Sequence, residues 1–341
     1  MSTATINTST YPQFTDLIQR SFVTAPTSQL DNVMMNSGIV RKETISANSG
    51  GVRRFAQTVI SSPYTKQGTE GGPAGQLKPQ YGYEKDLIVD KHDGGISITY
   101  EERNLGKNPD IINQLVGLAP KAYAEIDLDL AHRLTFAWST SYTNSAGISK
   151  DLTCGDGLAL ISTVHTLTGS PTTFSNQVAN NPAFSKSSLI SALNTAVENT
   201  YDNLGNKMAI EYDTLLVPDN HSTIVAAKEL INATADITSA NANTYNAFGG
   251  SYLKLVVCPR IATTTTGGVD TTKKTYWFLA SSKAKPIIYG EAVAPQLSAP
   301  RDGNNGEDAS TGNWNWYVRS IYGVAVPSPI GIIGSKGDGS V

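Results

Sequence analysis

With 341 residues, a formal net charge of -3 and 16% charged residues, the chain is long enough for two domains and has no surplus of basic charge. That balance removes the electrostatic basis for tight nucleic-acid binding. Two cysteines cannot make a disulfide framework, and no apolar run is long enough to span a membrane. The segment Met1 to Tyr11 carries neither the basic nor the apolar region of a signal peptide, so the sequence reads as a soluble chain that folds inside a cell.

Met1 to Thr10 is a polar lead. Phe14, Leu17, Ile18 and Phe22 then have the spacing of a short amphipathic helix. Asp31 to Gly38 is expected to hold a further turn, and Ile39 to Ile45 a strand. This opening has too few apolar residues for its own core, so it belongs against the body of the subunit or a neighbour.

From Ser46 to Asp93 the texture changes. Val52 to Ile60 alternates loosely, Ser61 to Gly82 is rich in glycine and proline, and Leu87 to Asp90 and Ile96 to Tyr100 read as strands. The pattern predicts a long hairpin with a glycine-rich tip. An isolated two-stranded ribbon is marginal in water, and a partner surface is the economical explanation. The candidate contact residues along it are Tyr64, Lys66, Glu70, Lys78 and Tyr81, joined by Phe14 and Phe22 of the opening helix.

Asn108 to Trp138 has the strongest pattern in the chain. Asn108 can cap a helix and Pro109 suits its first position. Ile112, Leu115, Ala119, Ala122, Ile126, Leu130, Leu134 and Ala137 recur at steps of three or four as one apolar stripe. Lys121, Glu125, Asp129 and Arg133 fall at fours on another face. The spacing predicts a spine of roughly 45 Å, bent at Pro120. Beyond it, helices are expected over Ser187 to Tyr201 and, capped by Asp219 or Asn220, up to Ile231. Strands are expected at Asp213 to Val217, Tyr252 to Cys258, Tyr276 to Ala280, Ile287 to Tyr289 and Trp314 to Val326. This alternation argues for an α+β fold with a central sheet.

The search for chemistry finds little. The four histidines, at 92, 132, 165 and 221, lack metal-ligand spacing, and no phosphate-loop or nucleophile-elbow motif is present. Cys154 and His165 could pair as nucleophile and base, but a buried thiol and a satisfied histidine explain them more simply. Glu101, Glu102 and Arg103 read as a solvated strand end or an inter-subunit ion pair rather than a carboxylate site. Trp314 and Trp316, at alternating positions, read as one face of a sheet rather than a stacking platform. No catalytic, cofactor or metal residue is assigned.

The order of parts resembles the major capsid proteins of tailed bacteriophages, which share the Hong Kong 97-type fold. The matching order is an N-terminal arm (to about Gly38), a strand-rich extended loop (about Ser46 to Asp93), a long spine helix and an α+β axial domain. Local stretches similar to that family include DGLALISTVHTLTG at Asp156 to Gly169, YDTLLVPDNHSTIVAAKELI at Tyr212 to Ile231 and LKLVVCPRI at Leu253 to Ile261. YWFLASS at Tyr276 to Ser282 and WYVRSIYGVAV at Trp316 to Val326 are two more. The resemblance implies a division into an arm and first strand (1–45), an extended loop (46–95), a peripheral domain (96–150 plus about 275–312, with the spine at 109–138) and an axial domain (151–274 plus about 313–341).

It also implies a structural, non-enzymatic role. Copies would assemble as pentamers and hexamers, in the host cytoplasm, into an icosahedral virion shell around double-stranded DNA held without sequence-specific contacts. A separate scaffolding protein and a portal are implied partners, and no membrane is involved. The lysine cross-linking known in some relatives has no specific signal at Lys66 or Lys78. Two rival readings stay open: an encapsulin-type nanocompartment shell, and a hydrolase with a glycine-rich flap.

Overall fold

A computed structural model of the chain describes residues 11–24, 32–46, 50–60, 79–104, 116–233, 253–297 and 310–340, with 114, 246 and 248. Two four-stranded sheets and a buried helix organise it. The first sheet has the order β1 (Val40–Thr44), β12 (Ile287–Leu297), β13 (Trp314–Ala325), β4 (Asp90–Ile98). Its edge strand β1 runs parallel to β12, while β12–β13 and β13–β4 are antiparallel. The second has the order β10 (Lys254–Val257), β9 (Thr214–Val217), β11 (Trp277–Ala280), β14 (Ile332–Ser335).

Two strands exchange places relative to the expected division. Trp277–Ala280, expected beside the spine, pairs with β9 and β14 in the second sheet. Trp314–Ala325, expected in the axial part, is the central partner of β12 and β4 in the first. Both are strongly alternating or apolar strands that either sheet would accept, and pairing between strands far apart in sequence is decided by register, not by local pattern.

Of the expected spine, helix α3 (Leu118–Thr135) starts after Gly117, and Pro120 stands in its first turn, where a backbone N–H lacks an intrahelical partner in any case. Gln114 and Val116 ahead of it are also helical, and the expected bend at Pro120 depends on a segment described only at these two residues and Gly117. Residues 105–113 and 115, including Asn108, Ile112 and Leu115, lie outside the described residues. Over the described part Ala119, Ile126, Leu130, Leu134 and Ala137 of the stripe are buried, and Ala122 is half-buried.

The second sheet is enclosed on both faces. Leu216, Val256, Phe278 and Ile332 point toward α3 in the main core. Leu215, Val217, Trp277, Leu279 and Ile333 point the other way, beneath α4 (Lys186–Glu198) and α5 (His221–Asn232). Ser185 closes a capping box on α4, and the Asn220 side chain caps α5 by accepting from Ser222 N. The first sheet is covered differently. Helix α1 (Tyr11–Thr24) lays Ile18 and Phe22 on Trp314, Trp316 and Ile98, and α3 packs against Tyr289 and Tyr322. On its other face Tyr317 is 49% exposed. The two tryptophans are thus buried core, not a stacking platform.

Candidate assembly surface

The ribbon that precedes β4 consists of β2 (Val52–Ile60) and β3 (Pro79–Ile88), paired antiparallel with one irregularity between Ala56 and Thr58. Successive side chains of a strand point to opposite faces, and β3 uses this strictly. Its inward set is Tyr83, Lys85 and Leu87. The Tyr83 hydroxyl is 2.6 Å from Thr166 Oγ1. Lys85 Nζ donates to Asp151 Oδ2 at 2.6 Å and to Thr153 Oγ1 at 2.7 Å. Leu87 is fully buried with Ile45, Ile288 and Ala325, a burial that stabilises by about 2 kcal/mol. The outward set is Glu84, Asp86 and Ile88. Arg54 of β2 holds Asp86 by a two-pronged contact at 2.8 and 3.0 Å, which keeps the Asp86 carboxyl below its usual range. Ile88 is 61% exposed, and Tyr81, nearer the tip, 76%.

The ribbon's base is tied to the body again by Lys150 Nζ, which donates to Asp90 Oδ2 at 2.6 Å. Below it, the C-terminal half of the spine's polar face is turned inward, while Lys121 and Glu125 are exposed. Asp129 accepts from the Tyr322 hydroxyl at 2.8 Å and from Tyr142 at 3.2 Å, and Arg133 donates to the Asp151 carbonyl at 2.6 Å. A polar crevice of about 300 Å³ separates this part of the spine from the ribbon base. Its two lysines pair with aspartates, Lys85 with Asp151 and Lys150 with Asp90, so it reads as a joint between parts of one subunit.

The chain before β1 is held by a residue that the sequence reading passed over. Asp127, 1% exposed on α3, accepts from Met34 N at 2.7 Å and Met35 N at 3.4 Å and pairs with Arg260. Burial pushes its carboxyl up, and Arg260 and the two backbone donors pull the other way. Asp127 sits between the apolar positions Ile126 and Leu130, so a helical wheel places it at the edge of the buried stripe. That placement was the only signal available.

The candidate contact residues divide as follows. Tyr64, Lys66, Glu70 and Lys78 lie outside the described residues. For Phe14 and Arg103 only the backbone is described, in α1 and in α2 (Tyr100–Asn104). Phe22 packs against its own sheet, which leaves little of it to offer a neighbour. Glu101 is exposed. Glu102 is occupied at home: its carboxylate accepts from Thr99 N and Oγ1 at 3.1 Å, while Thr99 Oγ1 accepts from Glu102 N at 3.2 Å. This is the reciprocal capping box of a Thr-x-x-Glu motif, legible in the sequence and missed there. Tyr81 keeps the exposure that a contact needs.

The nucleophile–base pair is not formed. His165 Nδ1 bonds Asp156 Oδ2 at 2.6 Å, with both side chains buried. Burial works to raise the Asp156 carboxyl, but the imidazole contact prevails and holds it low. Burial pushes the Cys154 thiol up, so no thiolate is available. Among the described residues no group of three His, Cys, Asp or Glu side chains is placed to hold a metal.

A family model described as phage capsid protein matches residues 82–335. No curated protein matches the chain. Among solved structures, the capsid of Ralstonia phage GP4 is 14% identical with a TM-score of 0.53, covering 88% of this chain and 88% of that one. The mature capsid of bacteriophage PhiM1 is 12% identical with a TM-score of 0.51, over 87% and 85% of the two chains. The capsid of cyanophage P-SCSP1u is 16% identical with a TM-score of 0.50, also over 87% and 85%. At these identities the likeness is one of fold.

Proposed function

This chain belongs to the phage capsid protein family and is a structural subunit of a phage head; from that premise we propose that its copies gather as pentamers and hexamers into a closed icosahedral shell. In this reading the β2–β3 ribbon lies over a neighbouring subunit, and double-stranded DNA is enclosed without sequence-specific contacts. The observation that carries it is the state of the ribbon. One face of its base is seated on its own subunit, while Tyr81, toward the tip, is 76% exposed. A two-stranded ribbon is marginal by itself, so a neighbour supplies the missing contact. Each such contact is modest, but a subunit held on several sides gains stability from all of them together.

The weak net charge of -3 supports a wall that holds DNA without clamping it. A separate scaffolding protein and a portal complete the assembly, which takes place in the host cytoplasm. The division into arm, extended loop, peripheral and axial parts follows the two sheets, with β11 in the axial part and β13 in the peripheral part. No observation favours a nanocompartment or a hydrolase.

The test is electron microscopy of the purified protein after a sizing column. Closed shells, or rings and tubes of five- and six-fold capsomers, are expected. A particle that stays monomeric, alone and with a co-expressed scaffold, refutes the reading. Deleting Thr65 to Lys78 is expected to leave a folded subunit that no longer closes normal shells.

A further inference from the structure

The seat of β3 contains a feature that the assembly role alone does not require. Gly290 and Gly323 are direct cross-strand partners in the first sheet, on the face that carries the ribbon. They leave a bare notch there. A Cβ at Gly290 would stand 2.6 Å from Leu87 Cδ2 and 2.7 Å from Ile45 Cδ1. A Cβ at Gly323 would overlap the backbone carbonyl oxygen of Ile88. The two clashes differ in kind: side-chain ends can move aside, whereas a carbonyl moves only with its strand.

We propose that this seat, and above all the Gly290–Gly323 pair, sets the angle at which the ribbon leaves the body and thereby the curvature of the shell. The clause about curvature rests on the capsid reading. Three attachments spaced two residues apart, at Tyr83, Lys85 and Leu87, hold the base of β3 along a line rather than at a point. A strand held along a line is a fixed lever, not a hinge. The 10-residue β3 extends about 33 Å. A tilt of about 10° at its base therefore carries the far end through roughly 6 Å, enough to change where it meets a neighbour. Any side chain at Gly323 lifts Ile88 and produces such a tilt. A methyl at Gly290 does so only until Leu87 and Ile45 are shortened.

Paired spin labels at Tyr81→Cys and Val164→Cys read the ribbon angle in unassembled subunits. Both positions are exposed, and the native Cys154 and Cys258 are buried away from the label. Unlabelled shells are sized in parallel by electron microscopy. Gly323→Ala is expected to keep the parental circular dichroism, shift the label distance by several ångströms and change the mean shell diameter or leave shells open. Gly290→Ala is expected to shift both less, and Gly290→Ala with Leu87→Val and Ile45→Val to restore both. If Gly323→Ala does not fold, the Gly290 series alone decides the matter. Unchanged label distances overturn the seat. Shifted distances with shells of parental diameter overturn its link to curvature. A parental protein that forms no shell refutes the capsid reading instead, and the distances still decide the seat.

Discussion

In the second sheet every residue of β9, β11 and β14 is buried, whereas in the first Tyr317 and Arg319 of β13 face outward beside a ribbon seated at one end. The second sheet completes its burial within one chain, with apolar side chains on both faces. The first completes one face only, and gives part of the other to the base of the ribbon. A subunit built this way can fold on the strength of one region and hold the other ready for a neighbour. The same contrast appears in the polar groups. Those around α3 (Asp127, Asp129, Arg133) are partnered inside the chain, and the ribbon's outward charges pair mainly with each other across its two strands.

The contrast can be broken most directly from the closed side. Leu279→Asp places a charge among fully buried residues of the second sheet and is expected to cost about 5 kcal/mol or more, giving insoluble protein. A soluble, cooperatively melting variant would show that this sheet is not the stable region. Next comes Asp127→Ala, which strands two backbone donors and Arg260 and is expected to cost roughly 3 to 5 kcal/mol in a denaturant melt. A loss below about 1 kcal/mol would mean that the segment before β1 is held by apolar contacts alone.

Acid gives a third handle. His132, packed against Phe136 and Tyr142, is pushed down by burial to about 4. The unfolded chain takes up this proton near pH 6.5 and the folded chain resists until about pH 4, so the unfolded state binds more protons between those values. Stability therefore falls as pH is lowered through that window, by up to roughly 3 kcal/mol from this one group. His132→Phe should flatten that part of the pH dependence of thermal melts, and an unaltered slope would count against it. The smallest effect on folding is expected at the open end. Tyr81→Ala should change subunit stability by less than about 0.5 kcal/mol yet reduce the yield of closed shells. Equal yields would remove Tyr81 from the contact surface.

Much of the chain's local structure was legible. The stripe of α3, a cap at Asp219 or Asn220, the strand at Val40–Thr44 and the ribbon's first arm follow from spacing and residue type within a short window. The second arm does not: it starts at Pro79, inside the stretch expected as the glycine-rich tip, because cross-strand pairing with β2 overrides the local turn residues. The proposed assembly surface rests in outline on the same pattern, because a two-stranded ribbon with few apolar residues is marginal by itself. Individual residues were harder. Phe22 looked like a contact because an amphipathic helix does not say which surface covers it. Glu102 looked free because its capping partner, Thr99, was taken as the end of a strand. Asp127 carried no charge pattern of its own, and its ligands at Met34, Met35 and Arg260 are remote in sequence.

The sequence by itself determined the type of most elements and which side of each strand is apolar, since these depend on side-chain period over a few residues. Only the tertiary structure decided that β1 lies parallel to β12, that β11 and β13 belong to opposite sheets from those expected, and that Gly290 and Gly323 face each other beneath Ile88. Those outcomes depend on register between distant strands and on the close approach of one backbone to another. A glycine in the sequence has the same appearance whether it ends a turn or leaves room for a carbonyl.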